Sequence, residues 1–121
     1  MQSKKVLAAA AFVIATNLAA ADAVVVGAGA SVKCGDWLAD RSTSGRVTRA
    51  MFASHWIQGF LSGINTERLA QKARPQFDVP SHDVLNAMLD KHCRNDPLQS
   101  VWEASMDIAS ELTERSAIPA K

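Results

Sequence analysis

Residues 52–64, FASHWIQGFLSGI, decide the fold. At about 100° per residue, Phe52, Ala53, Trp56, Ile57, Phe60, Leu61 and Ile64 wrap more than half of a helical circumference. No apolar/polar alternation of period two competes with that pattern, here or elsewhere in the chain. The spacing predicts a central helix from Arg46 or Thr48 to Gln71, buried over most of its girth.

The remaining face carries His55, Gln58, Ser62 and Asn65, at i, i+3, i+7 and i+10, so four polar side chains share one row. A solvated stripe accounts for such a row, and so does a surface that binds a partner. Gly59 and Gly63 lie beside Trp56 at the edge of the apolar arc. Glycine inside a helix costs about 1 kcal/mol against alanine, and close approach of another helix backbone is the usual compensation. We therefore read Trp56, Gly59, Phe60 and Gly63, with Trp102 further on, as helix-packing residues. The same glycine face could serve a homodimer.

Outward from this helix, residues 41–45 are Ser/Thr/Gly-rich and read as a loop. Before them, residues 34–40 form a short helical element, with Asp36 as a cap and Trp37 and Leu38 supplying apolar surface. After the central helix, Arg74-Pro75 is a stop and Asp78-Val79-Pro80 a rigid connector, with Ser81 placed to cap a helix over 82–94. That helix turns Val84, Leu85, Met88, Leu89 and its His92/Cys93 end inward. Asp96 followed by Pro97 reads as the cap and first position of the last helix. Leu98, Val101, Trp102, Ser105, Ile108, Ala109 and Leu112 form its apolar stripe.

The N-terminus has the grammar of an export signal. Lys4 and Lys5 precede an apolar run over 6–21, and small residues then offer A-x-A sites ending at Ala21 and Ala23. We expect residues 1–23 to be a cleaved signal peptide, with a later cut after Ala30 as the alternative. A membrane anchor would have to bury Asn17 and Asp22. Residues 24–33 then form a flexible segment, 34–115 a single helical domain, and 116–121 a frayed tail. An exported chain with only two cysteines, Cys34 and Cys93, is most simply read as carrying one disulfide. At about 98 residues the mature chain is near the size where a crosslink helps. The expected fold class is all-α, a small disulfide-linked bundle of about four helices.

Composition removes several partners. The whole chain has 13 basic and 12 acidic residues, and removing 1–23 takes out Lys4, Lys5 and Asp22, leaving 11 of each. A near-neutral domain without tyrosine and with few other aromatics is a poor nucleic-acid binder. Ser81-His82-Asp83 spells triad residues, but neighbours on one helical turn point apart and read as a cap and a first-turn acid. His55, His82 and His92 have no metal-ligand spacing, and the cysteines lack the C-x-x-C of a redox pair. No cofactor is expected, no metal, and no catalysis.

Three segments together resemble a known family: Lys33-Cys34-Gly35-Asp36-Trp37-Leu38, then Trp56-Ile57-Gln58-Gly59-Phe60-Leu61-Ser62-Gly63, then Cys93-Arg94-Asn95-Asp96-Pro97-Leu98 before an amphipathic helix. The pattern is similar to the HdeA/HdeB-like small periplasmic proteins and to the Rap1a/Tai-type immunity proteins. The resemblance implies a helical bundle with one disulfide between Cys34 and Cys93, in a Gram-negative periplasm. Its work would be binding another protein, either an acid-unfolded client or a toxin. The long inter-cysteine segment fits the immunity-like or uncharacterised relatives better than the acid chaperones. From a different class, the chain could be an accessory component of an envelope secretion or conjugation assembly.

Overall fold

The computed structural model describes residues 27–44 and 48–117. The expected signal peptide, residues 24–26 and the last four residues of the expected tail lie outside them. Among these residues four helices are present: α1 Cys34–Ser42, α2 Thr48–Ala70, α3 His82–Asn95 and α4 Val101–Ala117. Each packs against the other three. The chain is an all-α bundle, and a Cys34–Cys93 disulfide joins the start of α1 to the end of α3.

The core follows the predicted periodicities in part, with Phe52, Val84, Leu98 and Trp102 exposed instead of inward. Ala53, Ile57 and Leu61 of α2 meet Leu85, Leu89 and Cys93 of α3 and Val101, Ala104, Ile108 and Leu112 of α4, with Trp37 of α1 closing one end. Burying an aliphatic side chain of this size is worth about 1.5–3 kcal/mol, so this cluster dominates the driving force. Ser105 is fully buried among them, and its hydroxyl donates to the Val101 carbonyl at 2.6 Å, so it enters the core already satisfied.

The helix ends are satisfied in a way that the side-chain caps did not foretell. A helix leaves its first N–H groups without intrahelical partners. In α1, the Cys34 and Gly35 N–H groups donate to the carbonyls of Gln99 and Pro97, just before α4. In α4, the Val101 and Trp102 N–H groups donate to the carbonyls of Val32 and Ala30, just before α1. The two helix starts thus cap each other through backbone alone, around a Lys33–Ser100 bridge.

This exchange corrects several expectations. Residues 27–33 are not a flexible lead-in, because Ala30 and Val32 are buried and their carbonyls are committed to α4. Asp36 does not cap α1; it lies in the first turn and pairs with Arg49 at 3.4 Å. Ser81 stands at the N-cap of α3 without a side-chain cap bond. Residues 97–98 form a turn instead of opening α4, since the Asp96 carboxylate accepts from the Leu98 N–H at 3.1 Å. Ser100 opens α4 instead: Glu103 accepts from the Ser100 N–H at 2.6 Å, and Ser100 Oγ accepts from the Glu103 N–H at 3.3 Å. That reciprocal pair is a capping box.

Because α4 starts there, its inward stripe is Val101, Ala104, Ser105, Ile108, Ala109 and Leu112. Leu98 and Trp102 fall outside it and are 85% and 39% exposed. Val84 likewise points out of α3, half exposed. Ser116 and Ala117, placed in the tail, still belong to α4.

Candidate functional site

Two features of α2 remain open after the core is filled. One is a cleft of about 400 Å³ walled by α1, α2 and α3, whose lining includes Met51, Ser54, His55, His82 and Asn86. The other is the outer aromatic face of α2.

In the cleft, a hydrogen-bonded relay begins at Gln58. Its amide nitrogen lies 2.9 Å from His82 Nδ1, and His82 Nε2 lies 3.1 Å from Ser54 Oγ. Ser54 in turn donates to Asn86 Oδ1 at 2.7 Å. Ser54 Oγ also lies 3.4 Å from His82 Nδ1, so the hydroxyl sits against the ring between its two nitrogens, and its own proton goes to Asn86. With its proton donated to Asn86 and its oxygen aligned with neither imidazole nitrogen, Ser54 does not form a nucleophile–base pair despite the residue types. Ser54 and Asn86 are buried polar residues, and the relay is what satisfies them. The His55 ring stands over His82, with centroids 5.8 Å apart and planes tilted by 47°.

At the cleft rim the charges are already paired. Arg49 bonds both carboxylate oxygens of Asp40 at 2.7 Å, which holds the Asp40 carboxyl below the usual carboxylate range. Arg41 bonds Asp90 at 3.2 Å and lies over the Trp37 ring, whose indole N–H donates to Asp90 at 2.7 Å. Neither guanidinium is left over for an anionic ligand.

The predicted polar row of α2 is therefore divided. His55 and Gln58 come together at His82, while Asn65 is spent inside the chain. Its amide donates to the Phe77 carbonyl at 2.7 Å and accepts from the Gln76 N–H at 2.9 Å. Those two bonds pin the α2–α3 connector and bury Phe77, a core residue that helical periodicity had no means of flagging. Ser62 stays exposed, away from the cleft. His82, Ser54 and Asn86 join the site from positions read only as a first-turn residue or not singled out.

The helix-packing set is also redistributed. Trp56 and Phe60 stack, centroids 5.1 Å apart at 11°, and both are half-buried. Gly59 and Gly63 are exposed, and a Cβ built on either meets nothing within 4 Å. Among the described residues they are not a groove for another helix. The glycine that does admit close approach is Gly29, where a Cβ would strike the Phe52 carbonyl and Trp56 Cβ. Phe52 beside it is 53% exposed. Gly29 and Ala30 run between this part of α2 and the start of α4, so exposed Phe52 and Trp102 flank one backbone segment.

Among the described residues, no three His, Cys, Asp or Glu side chains gather as a metal set, and no helix is long and apolar enough to cross a membrane. No family model, curated protein or solved structure matches the chain.

Proposed function

We propose that this chain is an exported, periplasmic protein-binding protein without catalysis of its own, of the HdeA/Rap1a-like type. Its partner is another protein: an unfolded client in the chaperone branch, a toxin in the immunity branch. The observation that supports this reading is a set of exposed apolar side chains on either side of the buried Gly29–Ala30 segment: Phe52 on α2, and Trp102 and Met106 on α4. Scattered apolar exposure is ordinary, but aromatic and methionine side chains exposed on both sides of one buried segment are the composition of interface cores. Methionine adapts its shape to varied partners, and exposed backbone at Gly59 and Gly63 leaves room for close approach.

The Cys34–Cys93 bridge fits an oxidising compartment and supports export. Suppression of aggregation tests the chaperone branch: a reduced or acid-denatured client is followed by light scattering at pH 2–3 and at pH 7, with the oxidised protein added. Protection at near-equimolar ratio is the expected result for that branch. Scattering unchanged while the protein remains compact removes it, and the single-partner toxin branch then stands or falls on a purified effector binding in 1:1 stoichiometry.

A further inference from the structure

We propose that the exported protein keeps residues 27–33 as a strap between α2 and the start of α4, so that signal cleavage falls before Gly27, after Ala21 or Ala23, and the Ala28-Gly29-Ala30 motif is left uncut. The inference rests on the export reading above and fixes where processing stops. The motif alone does not separate the cuts. Ala19-Ala20-Ala21, Ala21-Asp22-Ala23 and Ala28-Gly29-Ala30 all offer small residues at the two positions that a signal peptidase reads.

The backbone separates them. The Trp102 N–H, one of the α4 donors without an intrahelical partner, donates to the Ala30 carbonyl at 3.1 Å, and the Ala30 N–H donates back to the Gly27 carbonyl at 3.0 Å. A cut after Ala30 removes the acceptor of Trp102. It also turns the Ser31 amide, which is bonded to that carbonyl, into an ammonium beside the N–H groups that open α4. Helix starts favour negative charge, so the new cation is repelled from the place that its backbone must hold for Val32 to accept from Val101 at 2.8 Å. A cut after Ala21 or Ala23 puts the ammonium ahead of the strap and costs none of these bonds.

Packing points the same way. At Gly29 the chain lies so close to α2 that a Cβ would strike the Phe52 carbonyl, and a Cβ on Gly27 would lie 2.7 Å from the Trp56 indole. Gly29 and Ala30 are buried, while Ala28 is exposed. The two glycines therefore fit a surface of the mature fold, which a discarded leader remnant would have no part in. Ser31 Oγ donates to the Ala28 carbonyl at 3.3 Å and closes the turn, so later cutting at this motif would need local opening.

The test expresses the full chain in a Gram-negative host and takes the intact mass and N-terminal sequence of the periplasmic product. The expected first residue is Asp22 or Val24. A start at Ser31 overturns the proposal with export intact, whereas a chain that keeps its leader overturns the export reading and the cut with it. Ala21 ends one upstream motif and begins the other, so Ala21→Glu should raise unprocessed precursor by about tenfold or more. Ala28→Glu spoils only the downstream motif, at an exposed side chain, and should leave the mature start and the melting temperature unchanged. Precursor that accumulates in Ala28→Glu and not in Ala21→Glu overturns the proposal. A protein made to begin at Ser31 should melt at least about 5 °C below one that begins at Val24. Equal melting would show that residues 27–30 hold nothing in place, and would overturn the strap.

Discussion

The two flanks of α2 are built on different terms. Toward α3 and α4, side chains are buried, the hydrogen bonds close on themselves, and a disulfide fixes the α1–α3 junction. Toward solvent, the same helix presents Phe52 and two glycines that no other described residue approaches within 4 Å. The difference teaches that stability and recognition are separable here, because the residues that hold the bundle are not those it offers outward. A small domain with about 5–10 kcal/mol of total stability can leave so much apolar surface uncovered only if the covered side is firmly tied.

The largest effect should come from cutting that tie. The bridge closes a chain separation of 59 residues, and loop-closure entropy assigns such a crosslink about 4 kcal/mol. A Cys34→Ala/Cys93→Ala variant, followed by urea unfolding, should lose about that much and be partly unfolded at 37 °C. Asn65→Ala comes next. It removes both bonds to the connector and should cost about 1–3 kcal/mol by leaving the Phe77 carbonyl and Gln76 N–H unpaired. Backbone exchange over 74–79 should rise in that variant while the α1–α3 junction stays protected.

Acid acts on the covered side through Glu111. Its carboxylate accepts from His92 at 3.0 Å, with Arg115 and Lys91 alongside, and these contacts push its pKa from 4.5 down to about 2. A carboxyl depressed in the folded state stabilises fully above its unfolded value, and that contribution is lost as pH falls from about 4.5 through 2. Arg115 and Lys91 are mostly exposed, so solvent screening reduces the expected loss to about 1–2 kcal/mol. Glu111→Gln should flatten the stability–pH curve in that window, lowering stability by about that amount near neutrality and matching the parent below about pH 2.

The smallest effect should have the opposite sign. Gly59→Ala and Gly63→Ala have open space to fill, and each should raise stability by up to about 1 kcal/mol in thermal melts. Destabilisation by either would mean that the glycines serve packing within the fold, and the contrast between the flanks would fail.

Much of the covered side was legible in the sequence, because helical periodicity reports burial directly. Ala53, Ile57, Leu61, Leu85, Leu89, Ile108 and Leu112 all face inward on the expected stripes. The Cys34–Cys93 pairing followed from there being two cysteines. What stayed hidden depends on contacts between distant segments. The mutual backbone capping of α1 and α4 leaves no side-chain signal, and it is what orders residues 27–33. Asp96-Pro97 looked like a helix start, yet the Pro97 carbonyl is committed to Gly35, and Ser100-x-x-Glu103, a signal present in the sequence, takes the role. The cleft was only half visible: His55 and Gln58 share a row, but nothing local says that His82, 24 residues after Gln58, meets them. The glycine spacing was noticed and assigned to the wrong side, since a pattern of small residues does not say which surface approaches it.

The separation of the two flanks is tested most directly by Phe52→Ser/Trp102→Ser in the oxidised protein, measured for unfolding free energy and for binding of the protein partner in the same preparation. Both side chains are largely outside the core, so stability should stay within about 1 kcal/mol of the parent while binding falls at least tenfold. Binding retained with the fold intact, or a fold lost along with binding, would contradict the account.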